Sequence, residues 1–187
     1  MGGGSNRMPR LVAFLRAINV GGHTVTMAKL RELFESLGFT DVETFIASGN
    51  VLFTSSSKNF AALERKIEAH LEKSLGYEVV TFLRTVPEVV AIAKQKPFPE
   101  AQISKAGAFC IGFLTAPLDA KAKQRLLALE TGIDHFRTHG REVYWLCEHR
   151  QAESKFSNNV FEKATGARVT FRGTNTVVKL AAKANAT

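Results

Sequence analysis

Cysteine is nearly missing from this chain: two residues, Cys110 and Cys147, stand among 187, and neither belongs to a CxxC or other ligand spacing. That scarcity excludes a disulfide scaffold and a cysteine-built zinc site, and it reads both thiols as reduced core residues of apolar, strand-like stretches. Long apolar runs are missing too. No window approaches the roughly eighteen apolar residues of a membrane span, and the start "MGGGSNRM" lacks the apolar stretch of a signal peptide. A cytoplasmic protein is expected, with a flexible leader and a first structured residue near Pro9. No Gly-Lys-Ser/Thr follows a glycine loop, no GxGxxG occurs, and no serine sits in a G-x-S-x-G elbow, so neither nucleotide fold nor a hydrolase elbow is indicated. The five histidines, His23, His70, His135, His139 and His149, form no metal set. His135 and His139 fall on a predicted hairpin strand, where residues four apart lie too far along the chain to share one ion. No metal and no cofactor are expected.

What is present is ordinary for a folded chain, 45% hydrophobic and 22% charged, with a formal net charge of +8. From Lys155 onward six basic residues face one acid, Glu162. Such an excess attracts phosphates or nucleic acid, or simply forms a solvated surface. Both readings stay open.

The order of elements is more informative. "LVAFLRAINV" (Leu11 to Val20) is short and rich in β-formers, so it reads as a strand that stops at Gly21-Gly22. Thr26 then caps a helix with Met27, Leu30, Leu33, Phe34 and Leu37 on one face, and Gly38 ends it. The strands "VETFIA" and "NVLFT" follow, joined through Ser48-Gly49. A second helix buries Phe60, Leu63, Ile67, Leu71 and Leu75 and closes at Gly76, after which "EVVTFLR" returns as a strand. Strand, helix, strand, strand, helix, strand is the split βαβ order of ferredoxin-like folds.

"SLGFTDVETFIAS" and "SLGYEVVTFLRT" echo one another as helix, glycine, aromatic, strand, in keeping with two similar βαβ halves. After a linking helix begun at Thr85 and broken by Pro97 and Pro99, the order repeats. It runs "GAFCIGFLT", a helix from Asp119 to Glu130, the hairpin "IDHFRTHGREVYWLC" turning at Gly140, a short helix to Gly166, "RVTF", and a closing helix from Asn175. The expected class is α+β: two tandem ferredoxin-like (βαββαβ) domains with antiparallel sheets and an additional C-terminal helix. The domains are placed at 9–85 and 107–184, with a helix and Pro-containing linker at 86–106.

Four stretches carry polar residues where a plain core would not. "RAINVGG" places Arg16 on the Phe14 and Ile18 face of its strand, with Asn19 opposite, and its two glycines permit backbone amides to face outward before a helix. A Gly-Gly turn also serves simply to redirect a chain. "ASGNV" offers Ser48, Gly49 and Asn50, either as hairpin chemistry or as a hydroxyl and an amide beside the first loop. "ESKFSNN" and "VTFRGTNT" gather Ser154, Lys155, Asn159, Arg172, Asn175 and Thr176 near helix starts, where anions or simple caps are both accommodated. Phe109, Ile111, Phe113 and Trp145 read as core. Catalytic residues cannot be named: Glu32, Glu35, Glu64 and Glu68 lie on helix faces where solvation is the default. Whether the protein is an enzyme stays open.

Taken together, "FLRAINVGG", "VETFIASGNVLF", Ser154-Lys155 and "TFRGTNTVVKL" resemble a bacterial family, the domain of unknown function 1697, over about Arg10 to Leu180. The resemblance implies a cytosolic protein of two ferredoxin-like domains with no established activity. By that likeness the family's polar positions fall on Arg16, Asn19, Gly21, Gly22, Ser48, Gly49, Asn50, Ser154, Lys155, Arg172, Asn175 and Thr176. Ala17 stands where the family commonly shows glycine, and Gly173-Thr174 replaces Asn-Trp. The leading expectation is a binder of an anionic or phosphate-bearing small molecule, through the glycine-rich loop, the Ser-Gly-Asn turn, Lys155, Arg172, Asn175 and Thr176. The alternatives are a nucleic-acid-binding module using the basic C-terminal domain, and a structural interaction protein without a ligand. No membrane partner is expected.

Overall fold

The computed structural model describes residues 7–46 and 49–186. The chain divides into two compact units, Met1–Val89 and Val90–Thr187.

In the first unit, β1 (Arg10–Leu15) is followed by α1 (Met27–Glu35), β2 (Thr40–Thr44), β3 (Asn50–Thr54), α2 (Phe60–Leu75) and β4 (Thr81–Thr85). The sheet is antiparallel in the order β2-β3-β1-β4, the arrangement two interleaved βαβ units must give. The helices form where the pattern says they should. Thr26 Oγ1 accepts from the Lys29 amide at the start of α1, and Asn59 Oδ1 does the same for the Ala62 amide at the start of α2. Gly76, at φ 84°, ends α2 in the left-handed conformation that carries no Cβ penalty. Leu30, Leu33 and Phe34 of α1 and Leu63, Ile67 and Leu71 of α2 pack on Leu11, Ala13 and Leu15 of β1 and on Phe53 of β3. Each such side chain contributes roughly 1.5–3 kcal/mol by leaving water. Phe39, the aromatic after the first helix stop, is buried and stacks at a tilt on Phe53, 4.6 Å between centroids.

Joining the units in sequence are α3 (Val86–Lys94) and α4 (Glu100–Lys105), the second starting directly after Pro99. Thr85 and Glu88 form a reciprocal cap on α3: the Thr85 amide donates to Glu88 Oε2 at 2.7 Å and the Glu88 amide to Thr85 Oγ1 at 3.3 Å. The break after Val89 falls inside α3.

The second unit repeats the plan with β5 (Ala108–Phe113), α5 (Ala120–Leu127), β6 (Asp134–His139), β7 (Glu142–Cys147), α6 (Asn158–Thr165) and β8 (Thr170–Gly173), and it adds α7 (Thr174–Asn185). Its order β6-β7-β5-β8 matches the first sheet strand for strand. Cys110, Val143, Trp145 and Cys147 lie on the face covered by Ala122, Leu126 and Phe161. On the opposite face α7 packs against β5 and β8. The two sheets and the extra helix are those of tandem ferredoxin-like domains.

The boundaries differ from the sequence expectation in ways that matter. β1 ends at Leu15, five residues before Val20, because Ala17 and Asn19 adopt left-handed φ of 59° and 56°. A left-handed residue destroys the two-residue alternation, so Arg16 and Asn19 are loop residues and the opposite-face assignment made from strand period fails. Likewise β2 closes at Thr44 rather than continuing through "FIA"; Ala47 and Ser48 lie outside the described residues. Both β4 and β8 begin two or three residues later than their apolar runs suggest, and α4 was not foreseen. The cap of α7 is Gly173, with no side-chain capping bond, so Asn175 and Thr176 are first-turn residues and not caps.

Candidate functional site

The glycine loop leaves the sheet in a series of reversals. Arg16 extends the β1–β4 ladder by one bond, its amide donating to the Val80 carbonyl at 2.9 Å. Ala17, Asn19, Gly21 and Gly22 then all take positive φ, at 59°, 56°, 65° and 85°. Ala17 stands where the resemblance places glycine, and its left-handed backbone gives the physical reason glycine suits that position. Ile18 is the anchor. It is 4% exposed, whereas Val20 is 59% exposed and both glycines are open to solvent. Asn19 Oδ1 accepts from the Val25 amide at 2.6 Å and closes the loop onto the start of α1. His23 stacks on Tyr77, which follows Gly76, with 4.0 Å between ring centroids and 27° between planes. Burial raises the Tyr77 phenol above its ordinary value.

At the tip, the His23 amide donates to the Val20 carbonyl at 3.2 Å. The amides of Gly21 and Gly22 donate no hydrogen bond among the described residues. An added Cβ at either glycine would meet nothing within 4 Å.

The second motif lies against the first. The Leu15 amide donates to the Gly49 carbonyl at 2.9 Å, and a Cβ on Gly49 would approach Ile18 Cγ2 to 2.3 Å. Gly49 is therefore demanded twice, by its φ of 82° and by the close packing of Ile18. Asn50 is fully buried and its Nδ2 donates to the Phe45 carbonyl at 3.1 Å. Asn19, Gly49 and Asn50 line one small cleft of about 10 Å³, with Val25, Leu30 and Thr44 around it. That is room for roughly one water molecule. Ser48 is outside the described residues.

In the second unit the polar residues take different positions. Lys155 is exposed, after a 3-10 turn at Gln151–Glu153. Ser154 turns inward: its Oγ donates to Asp134 Oδ1 at 2.8 Å, an oxygen that also accepts from Trp145 Nε1 at 2.9 Å. Thr131 Oγ1 donates to the other carboxylate oxygen at 3.0 Å. Asp134, 3% exposed, is thus a well-bonded interior acceptor and the reason the sole tryptophan can be buried. Arg172 is buried as well, donating through Nη1 to Thr170 Oγ1 at 2.7 Å and to the Phe171 carbonyl at 3.0 Å. Burial pushes its guanidinium down to about 10. Asn175 is exposed and Thr176 half-buried, in the first turn of α7.

Two acids expected to be solvated are not. Glu64 and Glu68 accept backbone amides of β4. Neither this role nor the His23–Tyr77 stack was legible from spacing, because each joins residues distant in sequence. Among the described residues there is no group of three metal-ligating side chains, and no helix is long and apolar enough to cross a membrane.

Fold and loops together define the class: an α+β protein of two ferredoxin-like units, with a glycine loop leaving the first strand and a Gly-Asn turn packed against it. The chain belongs to the family described as protein of unknown function (DUF1697), which matches residues 8–144. That match takes in both motifs of the first unit and ends at Tyr144, before Ser154-Lys155 and "TFRGTNTVVKL". A solved structure described as the conserved bacterial protein SP0830 from Streptococcus pneumoniae is similar over 95% of this chain and 99% of its own, at 24% identity and a TM-score of 0.71. At that identity the likeness concerns the fold. No curated protein matches the chain.

Proposed function

We propose that this protein binds an anionic, phosphate-bearing small molecule at the glycine loop of its first unit, and that it does so in the cytoplasm, where its free thiols Cys110 and Cys147 stay reduced. One observation carries the reading. Gly21 and Gly22 hold solvent-facing, left-handed backbone with amides that serve no acceptor among the described residues. Consecutive amides of this kind form a concavity suited to an anion. Arg16 supplies positive charge at the base of the loop, and Asn19 fixes the loop through the bond its Oδ1 accepts from the Val25 amide.

The test is an amide NMR titration of the full chain with inorganic phosphate, pyrophosphate and a sugar phosphate, with chloride as the control. Saturable shifts at Gly21 and Gly22, weakened at least about fivefold by Arg16→Ala, are the expected result. Shifts no larger than those from chloride, or an unchanged affinity in Arg16→Ala, would overturn it.

The nucleic-acid reading rests on charge distribution: fifteen of the 25 basic residues but eight of the 17 acids lie in Val90–Thr187. It is the weaker reading, because Ile111, Phe113 and Tyr144 are at most 2% exposed and offer bases no stacking platform. Binding to single-stranded RNA at low salt that collapses as salt rises would restore it.

A further inference from the structure

The second unit holds a cavity of about 400 Å³ on the α7 side of its sheet. Its walls are Ile92 of α3, Ile103 of α4, Phe109 and Ile111 of β5, Tyr144 of β7 and Val178 of α7. We propose that this cavity is a second binding site, and that it takes a small carboxylate with a flat aromatic body, an arylalkanoate.

The size falls within the range of sites for small organic ligands, roughly 300–1,000 Å³. The interior is hydrocarbon and aromatic, so water held there gives up hydrogen bonds that an apolar body does not need. Phe109 is half-buried and offers its ring to a third one, while the buried Tyr144 backs it, 6.4 Å between centroids and tilted by 41°.

The mouth carries a net positive charge, with Lys94 and Lys96 against Glu100. Lys94, the last residue of α3, lines it and has no ionic partner among the described residues. Lys96 also lines it, paired at 2.9 Å with Glu100. Thr174, which opens α7, lies on the same rim, and no side chain caps that helix, so its positive end adds to the field of Lys94. Apolar walls under an unpaired cation select a molecule with one anionic end. The second unit alone contains this site, so it stands or falls separately from the glycine loop.

The experiment titrates the full chain with 4-phenylbutyrate and, separately, with the uncharged 4-phenylbutan-1-ol by calorimetry. The acid should bind saturably, and the alcohol about tenfold or more weakly. Lys94→Gln, at an exposed position, should weaken the acid about three- to tenfold and leave the alcohol unchanged. Val178→Trp, half exposed at the mouth, should weaken both about tenfold. Thermal unfolding of each variant establishes that it is folded, and Arg16→Ala should bind 4-phenylbutyrate as the parent does. No saturable binding at millimolar acid, equal affinity for acid and alcohol, or an unchanged affinity in Lys94→Gln would overturn the proposal.

Discussion

Glu64 on α2 accepts the backbone N–H of Leu83 on β4 at 3.0 Å, and Glu68, one turn later, accepts that of Thr81 at 2.9 Å. The spacings correspond, because four residues along a helix and two along a strand advance the chain by about the same 6–7 Å. β4 is an edge strand, so these amides have no neighbouring strand to receive them. The helix supplies the acceptors a fifth strand would otherwise provide, and in doing so blocks the edge against another chain. In the second unit Glu162 of α6 reaches the Val169 amide just before β8 at 3.1 Å, the same device at the matching edge.

Removing both carboxylates should therefore do more than change surface charge. Glu64→Ala with Glu68→Ala is expected to lose about 2–4 kcal/mol, since each bond is charge-assisted and half-buried. The bared edge should also promote association in sedimentation at high protein concentration. Glu64→Gln with Glu68→Gln keeps an acceptor oxygen at each site and should retain most of the stability. A doubly alanine-substituted chain that stays monomeric and as stable in urea as the parent would refute this role.

Glycines in the two motifs should respond very differently to the same methyl group. Gly49→Ala places a Cβ 2.3 Å from Ile18 Cγ2 at a φ of 82° and should cost at least about 2–4 kcal/mol, the sum of overpacking and left-handed strain. Gly21→Ala meets nothing within 4 Å and should cost only the strain, about 1 kcal/mol. Ala17→Gly runs the other way: relief of strain at a φ of 59° should stabilise by about 0.5–1 kcal/mol. Urea denaturation of the three variants checks the order, and a Gly49→Ala protein no weaker than Gly21→Ala would show that Ile18 moves aside freely.

Much of this architecture was legible in residue order, and the reason is local. Helix periods at Leu30, Leu33 and Phe34 and at Leu63, Ile67 and Leu71, stops at Gly38 and Gly76, and the hairpin glycine Gly140 are short-range signals, and each appears in the fold. The doubled strand–helix order then left one arrangement per sheet. The glycine loop was recognised as unusual but misplaced, because apolar composition carried the strand reading through Arg16 to Val20 while left-handed φ at Ala17 leaves no mark in composition. What escaped entirely are relations set by tertiary approach: Gly49 beneath Ile18, Glu64 at Leu83, and the closing of Phe109, Tyr144 and Val178 around a cavity. Arg172 read as a ligand-facing cation because its neighbours are polar, yet strand register buries it.

The core thiol of Cys110 sets a pH window for stability. Burial, with a smaller contribution from Cys147, pushes it up to about 11 from an ordinary value of 9.0. Below pH 9 the thiol is protonated in both folded and unfolded chains, and it adds no pH dependence. As pH rises from about 9 to about 11 the unfolded chain releases this proton while the folded chain keeps it, so unfolding is progressively favoured; above about 11 both forms are thiolates and the loss levels off. Two units of pKa correspond to about 2–3 kcal/mol. Lysines and tyrosines titrate nearby, so the diagnostic quantity is the difference between the parent and Cys110→Ala in urea unfolding at pH 8.5 and pH 11. The parent should lose about 2–3 kcal/mol more than the variant over that interval. Cys147, raised in the same direction chiefly by burial, contributes to the loss in both proteins and cancels in the comparison. Parallel curves would mean that the folded chain admits water to Cys110 and does not keep it as a thiol.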